Sequence, residues 1–342
     1  MLDYKKEYER WLASDALNAD EKAELQAIAG DEKEIESRFY GPLEFGTAGL
    51  RGTMKVGLHQ MNVHVIRWAT QGFADVIAAE GDAAKKKGVA ICMDCRVNSM
   101  AFARAAAEVC AANGIRVRIF ESLRPTPELS FAVRYYGCQA GINVTASHNP
   151  KEYNGYKVYW ADGAQLPPQH AAAIAARLEQ IDIFTGVKRM AFDDAVKAGL
   201  ITLLGEETDK MFMSNVMAMV NDRTSVAQVA DSFKVVYTPF HGCGWKLVPE
   251  ALRGLGVKNL YCVEQQMVLD GTFPTVVSPN PENPEGFYLA IELADKVGAD
   301  FILGTDPDSD RVGIMVRGAD GKFIAVTGNQ TGVLLLDYLI GA

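Results

Sequence analysis

Thr145-Ala146-Ser147-His148-Asn149-Pro150 follows the apolar run Gly141 to Val144 and precedes Asn154-Gly155. An apolar run bounded by turn-forming residues reads as a buried strand that delivers Ser147 onto an exposed loop, with Asn154-Gly155 as the next turn. Upstream, Asn62 caps a helix to about Glu80, Gly88 to Met93 is a short apolar strand, and Ser99 to Asn113 is helical. Ile115 to Phe120 is a strand, and Pro125-Thr126-Pro127 opens a helix through Tyr136. Downstream, Tyr156 to Trp160 is a strand and Pro168 to Gln180 a helix. Residues 181–231 read as a connection with a helix near Glu206 to Val220.

A second alternation follows. Phe233 to Thr238, Val257 to Val263 and Asp300 to Leu303 are strands; Gly244 to Leu255 and Glu285 to Val297 are helices. Val312 to Val316 continues as a strand, with a turn at Asp320-Gly321, and Gly328 to Ile340 is a helix whose Val333, Leu334, Leu336, Leu339 and Ile340 need burial. The first forty residues read as helices, with Asp20 and Asp31 as N-caps. Strands separated by helices of about ten or more residues make parallel pairs. The predicted fold class is α/β: tandem α/β domains with mixed, largely parallel sheets flanked by helices, preceded by an N-terminal helical arm.

A chain of 342 residues suggests roughly two domains. Its net charge of −9 argues against a general nucleic-acid or membrane surface, since either needs clustered Lys and Arg. The charged start carries no signal-peptide core, and no apolar run reaches the ~18–20 residues that span a bilayer. Cys92 and Cys95 form a CxxC, but no second ligand pair completes a zinc site. The six cysteines are expected to be reduced, in or beside strands, which predicts a cytoplasmic protein.

Asp306, Asp308 and Asp310 place three carboxylates in Gly304-Thr305-Asp306-Pro307-Asp308-Ser309-Asp310-Arg311. Bare, they repel by roughly 1 kcal/mol per pair even in water. A cation relieves this, and an all-oxygen set favours Mg²⁺, Mn²⁺ or Ca²⁺ over zinc. A calcium EF-hand would want Gly and Glu where the chain has Arg311 and Arg317; the bland alternative is a solvated acidic turn. Ser147 beside His148 is not a protease dyad, because adjacent side chains of an extended segment point to opposite faces. Lys157 can reach the same space as a cation or proton donor. In Gly46 to Gly52 the glycines let backbone approach a ligand and Arg51 adds a phosphate contact; a plain turn is the alternative. No P-loop or dinucleotide fingerprint is present.

The Ser147 segment with Asn154-Gly155-Tyr156-Lys157, and the aspartate segment, together resemble the α-D-phosphohexomutases. Glu44 to Gly52, Pro125-Thr126-Pro127-Glu128 and Asp270-Gly271-Thr272-Phe273-Pro274 resemble the phosphoglucomutase branch of that family, which carries an N-terminal helical arm. The resemblance implies an arm over 1–40, a phosphoserine-loop domain over 41–205, a metal-loop domain over 206–322 and the start of a third domain over 323–342. It further implies that Ser147 is phosphorylated and, with Asp306, Asp308 and Asp310, holds one Mg²⁺. Arg51, Lys157 and Arg311 then line the transfer site, with His148 beside it. The implied reaction interconverts glucose 1-phosphate and glucose 6-phosphate through a covalent phosphoserine and a bisphosphorylated sugar, which also serves as activator.

Phosphoserine with the three aspartates carries about −5, matched by Mg²⁺ and the three basic side chains. Family members have four domains, so the resemblance also implies a fragment truncated after the second domain that turns over poorly alone. Asp94-Cys95-Arg96 stands where the family has Asp-Ser-Arg, a change with no assigned chemistry. The sugar (glucose, mannose or pentose) and the oligomeric state are not readable. Competing readings are an aspartyl-phosphate phosphatase, because Asp308-Ser309-Asp310-Arg311-Val312 mimics a D-x-D-x-V motif, and a non-catalytic phosphosugar-binding module.

Overall fold

The strands Val89–Met93 and Ala140–Val144 are buried at every position, as parallel strands covered by helices on both faces require. They form the centre of the first of two sheets in this computed structural model, which describes residues 2–341. That sheet contains β1 (Leu50–Thr53), β2 (Val89–Met93), β3 (Val117–Phe120), β4 (Ala140–Val144), β5 (Tyr153–Trp160) and β6 (Ile201–Leu204) in the order β1-β5-β4-β2-β3-β6. β4, β2, β3 and β6 run parallel, whereas β5 lies antiparallel to both β4 and β1. The second sheet contains β7 (Lys234–Thr238), β8 (Asn259–Cys262), β9 (Phe301–Thr305), β10 (Val312–Arg317) and β11 (Phe323–Val326) in the order β11-β10-β9-β7-β8. Its β9, β7 and β8 are parallel, and the β10–β11 hairpin is antiparallel. Two mixed sheets flanked by helices are thus the α/β architecture the alternation predicts.

The N-terminal helices Tyr4–Ala13, Ala19–Ala27 and Glu32–Phe39 share the first sheet's core. Trp11 is fully buried and meets Phe39, His64 and Phe184 edge-on at 5.7, 5.8 and 5.1 Å. Truncating such a ring to Ala costs about 3–5 kcal/mol. The second helix is capped by Asn18, not Asp20: Asn18 and Glu21 exchange side-chain-to-backbone bonds at 3.0 and 2.8 Å, a reciprocal capping box.

Three other expectations change. Asn154-Gly155 lies inside β5 and is not a turn. A Cβ on Gly155 would come within 2.5 Å of Thr145 O and 3.1 Å of Leu50 O, so the glycine answers a close approach of neighbouring backbones. Residues 201–204, read as connection, form the edge strand β6, and Phe323–Val326 pairs with β10 at one edge of the second sheet. The cysteines are free as expected, but Cys110 sits within the helix Ser99–Ala112 and Cys243 at the N-cap of Gly244–Gly254.

In the helix Gly328–Gly341 the apolar residues Val333 to Leu336, Leu339 and Ile340 stand exposed. Among the described residues no helix is long and apolar enough to cross a membrane. The helix Glu206–Ala218 ties the two units together: Asp209 accepts from Arg124 Nε of the first at 2.6 Å and from Lys246 Nζ of the second at 2.8 Å.

Candidate active site

Ser147 follows the C-terminal end of β4, and Asp306 follows that of β9 directly. Open α/β sheets gather ligands beyond such strand ends. The two loops meet there: Ser147 Oγ donates to Asp306 Oδ2 at 2.9 Å.

Ser147 has a φ of +54°, in the left-handed region, and its N–H donates to Thr145 Oγ1 at 2.9 Å. The segment is therefore not extended, and the expected divergence of Ser147 and His148 fails. His148 Nδ1 lies 3.2 Å from Ser147 Oγ. Burial, then the charges of Arg311 and Arg51, hold the His148 pKa below its ordinary value. The imidazole is thereby kept neutral at neutral pH and can accept a proton.

Asp306 Oδ1 accepts from the backbone N–H of Asp310 at 3.1 Å and of Arg311 at 3.0 Å. Asp308 Oδ2 accepts from Lys157 Nζ at 3.0 Å and from Thr126 Oγ1 at 2.9 Å. Lys157 Nζ also lies 3.6 Å from Asp310 Oδ2. One oxygen of each aspartate lies within 4.8 Å of the others, and the buried Asp308 Oδ1 has no hydrogen-bond partner. Burial, then the charges of Asp308 and Asp310, push the Asp306 carboxyl up. Burial and Asp308 likewise raise Asp310. Burial would also raise Asp308, but the charge of Lys157 together with hydrogen bonds from Asp306, Lys157 and Thr126 outweighs it and holds that carboxyl below its ordinary value. Burial opposes the Lys157 charge too; Asp308 and Asp310 overcome it and raise the ammonium. One ammonium against three carboxylates, with an orphaned buried oxygen among them, is a donor set that fits a hard divalent cation such as Mg²⁺.

The basic residues arrive from the sheet edge. β5 carries Lys157 opposite Asn143 of β4, and β1 carries Arg51 opposite Gly155. Arg51 Nη1 donates to Asn149 Oδ1 at 2.9 Å. Gly49 lets β1 come this close: it has a φ of +75°, and a Cβ there would fall 1.8 Å from Tyr156 O. Its close approach is to β5 rather than to a ligand. Arg311 follows the aspartate loop, and its charge bears on both Arg51 and His148. Ser147, His148, Lys157, Arg51, Arg311 and the three aspartates therefore share one locality.

Sequence reasoning missed Thr126 and Asn143. Thr126 donates to Asp308 twice, from its hydroxyl and from its N–H to Asp308 O at 2.8 Å, and Asn143 Nδ2 donates to Thr126 Oγ1 at 2.6 Å. The available signals were a threonine between two prolines at a helix start and a lone amide inside an apolar strand. A cavity of about 690 Å³ lies elsewhere, between the first helix and residues 42–45, and none of the site residues lines it.

Residues 42–183 match the family model for phosphoglucomutase/phosphomannomutase alpha/beta/alpha domain I, and residues 210–321 match that for domain II. The chain is 37% identical over 305 residues to a phosphoglucomutase of Staphylococcus saprophyticus, covering 89% of this chain and 54% of that protein. With a phosphoglucomutase of Staphylococcus aureus it shares 36% identity over 317 residues, covering 90% and 54%. The chain thus spans about half the length of the curated relatives it matches. A phosphoglucomutase/phosphomannomutase family protein from Burkholderia thailandensis shares the fold, with a TM-score of 0.67 and 20% identity over 87% of this chain and 59% of that one.

Proposed function

Since the chain belongs to the phosphoglucomutase/phosphomannomutase family, we propose that its two α/β units form the phosphoryl-transfer centre of an intramolecular phosphotransferase in which Ser147 carries the phosphate. The observation that carries this reading is the 2.9 Å approach of Ser147 Oγ to Asp306 Oδ2. It joins a nucleophile and a carboxylate cluster separated by 159 residues of sequence. The reaction is the interconversion of glucose 1-phosphate and glucose 6-phosphate through a bisphosphorylated sugar, with a sugar bisphosphate as activator. The division into an arm over 1–40, a phosphoserine unit over 41–205, a metal unit over 206–322 and a further element over 323–342 belongs to the same proposal, as does a cytoplasmic location.

In the first half-reaction the Ser147 Oγ–P bond breaks as a bond forms from phosphorus to a sugar hydroxyl oxygen. The hydroxyl proton passes to Ser147 Oγ. Neutral His148, 3.2 Å from that oxygen, is placed to relay it. The second half-reaction reverses these roles with the sugar's other phosphate. Arg51, Lys157 and Arg311 bring positive charge to the phosphoryl group, and Lys157 is already desolvated, so its charge acts strongly. Asp306, Asp308 and Asp310 would hold Mg²⁺, which supplies Lewis-acid neutralisation of phosphoryl charge when bound. Thr126 and Asn143 fix the orientation of Asp308.

The test is intact and peptide mass analysis after incubation with glucose 1,6-bisphosphate and Mg²⁺. The expected result is one phosphoryl group on the peptide containing Ser147, stable to hydroxylamine and lost in Ser147→Ala. A hydroxylamine-labile phosphate, or one that persists in Ser147→Ala, overturns the assignment in favour of an acyl phosphate or another acceptor.

A further inference from the structure

Arg96 follows β2, and its side chain is fully buried. Its Nη2 donates to Ser147 O at 2.7 Å and Asn149 O at 2.5 Å; its Nη1 donates to Pro150 O at 2.8 Å and Tyr153 O at 3.0 Å. Four main-chain carbonyls of the serine loop thus converge on one guanidinium. Asp94, whose Oδ2 lies 3.2 Å from Arg96 Nε, balances its charge from the opposite side. The planar face is covered from the second unit: the guanidinium carbon sits 5.1 Å from the ring centroid of Phe273, which is itself buried. Phe273 reaches this position because Gly271 packs flat on the Asp94–Val97 turn. A Cβ on Gly271 would fall 2.6 Å from Cys95 O and 2.7 Å from Arg96 Cα.

Each of these contacts has a physical consequence. The buried Ser147 carbonyl costs free energy without a donor, and a left-handed serine is strained, so the bonds Arg96 gives to it and to the part-buried carbonyls of Asn149, Pro150 and Tyr153 favour the shape of the loop. A guanidinium offers several donors in a fixed plane; an ammonium has three on a flexible stem. The aromatic face adds cation–π attraction that strengthens with desolvation, and it is present only while the second unit is docked.

We propose that Arg96 is a positioning residue that sets the conformation of the Ser147 loop, and that Phe273 makes this conformation depend on docking of the second unit. Nucleophile geometry and the arrival of the aspartate loop are thereby coupled through one buried stack. The proposal rests on reading Ser147 as the phosphoryl carrier, and the experiment separates the two.

Hydrogen exchange across the whole chain and the rate of Ser147 phosphorylation by glucose 1,6-bisphosphate with Mg²⁺ are measured for the wild type, Arg96→Lys, Phe273→Leu and Gly271→Ala. The expected result is exchange on the order of tenfold faster in Arg96→Lys, confined to residues 145–155, with smaller rises at the same place in the two variants of the second unit. Phosphorylation slows in the same rank order at saturating bisphosphate. Unchanged exchange at 145–155, or a rise spread evenly over the chain, overturns the positioning role. Should Arg96→Lys not fold, Phe273→Leu and Gly271→Ala decide by the same criterion. Local loosening in the variants combined with no phosphorylation of the wild type sustains the loop-setting role and sinks the phosphoserine reading instead.

Discussion

Asp306, Asp308 and Asp310 share the boundary between the two units with another buried carboxylate pair, Glu128 and Asp209. Both groups are desolvated, and in both burial raises at least one carboxyl pKa. They differ in how the charge is answered. Asp209 is held by Arg124 and Lys246, two cations for one anion, and its pKa stays low. Glu128, wholly buried with neither oxygen bonded, is pushed up to about 8 by burial and then by Asp209, so a proton neutralises it. A protonated Glu128 can also donate to Asp209, which two ionised carboxylates could never do. The aspartate trio has Lys157 alone at close range, and that lysine helps to keep Asp308 ionised. A proton goes to Asp306 here, whose carboxyl is pushed up to about 9 by burial and then by Asp308 and Asp310, but Asp308 stays ionised beside it. Perturbed acidity alone therefore does not mark a metal site. What separates the trio from the pair is the ratio of anions to cations, three carboxylates against one close ammonium.

The largest expected contrast is catalytic. Asp308→Asn should slow Mg²⁺-dependent phosphorylation of Ser147 by about 10³-fold or more, whereas Glu128→Gln should stay within about twofold of wild type. Comparable losses in both variants, read by mass analysis, would erase the distinction. Next, Mg²⁺ at about 100 times its Kd should stabilise the wild type by about 2.7 kcal/mol in denaturant titrations. Glu128→Gln should retain that gain and Asp308→Asn should lose it.

The third contrast is in pH. The folded-state pKa of Glu128, about 8, lies above the ordinary glutamate value of 4.5. The stability tied to it is thus fully present below about 4.5 and is lost as pH rises through about 8. Glu128→Gln, which cannot ionise, should match the wild type near pH 5 and exceed it by on the order of 2 kcal/mol near pH 9. An advantage that does not grow with pH would show that Glu128 is ionised throughout. The smallest effect belongs to Lys246→Met. Its half-exposed ammonium is one of two cations on Asp209, and its loss should cost under about 1 kcal/mol in thermal unfolding.

The sequence made the two loops visible because their chemistry is local: three aspartates within five positions, and a serine at the end of an apolar strand. The alternation of long helices with apolar runs likewise exposed the α/β class. What it hid was set by tertiary pairing. β6 is an edge strand with only Ile201 and Leu204 buried, so its pattern carries little signal without β3 beside it. Gly155 looks like a turn residue because the crowding that demands a glycine comes from Thr145 and Leu50, not from its own segment. Nothing in the residue type of Ser147 announces a positive φ, and that single torsion turns His148 toward the nucleophile. Arg96, legible only as part of an Asp-x-Arg match, reveals its four carbonyl partners once the loop around it is folded.

The two oxygens of Asp306 face different ways: Oδ1 is committed to the N–H groups of Asp310 and Arg311, and Oδ2 looks toward Ser147. A carboxylate so divided presents a single oxygen to an incoming ion, not a chelating pair. Large cations, which fill their shells with two-pronged carboxylates, are underserved by such a loop, whereas a small octahedral ion accepts single oxygens and completes its shell with water or phosphate. At the proposed metal site the backbone hydrogen bonding of the turn would favour the smaller of the alkaline-earth ions.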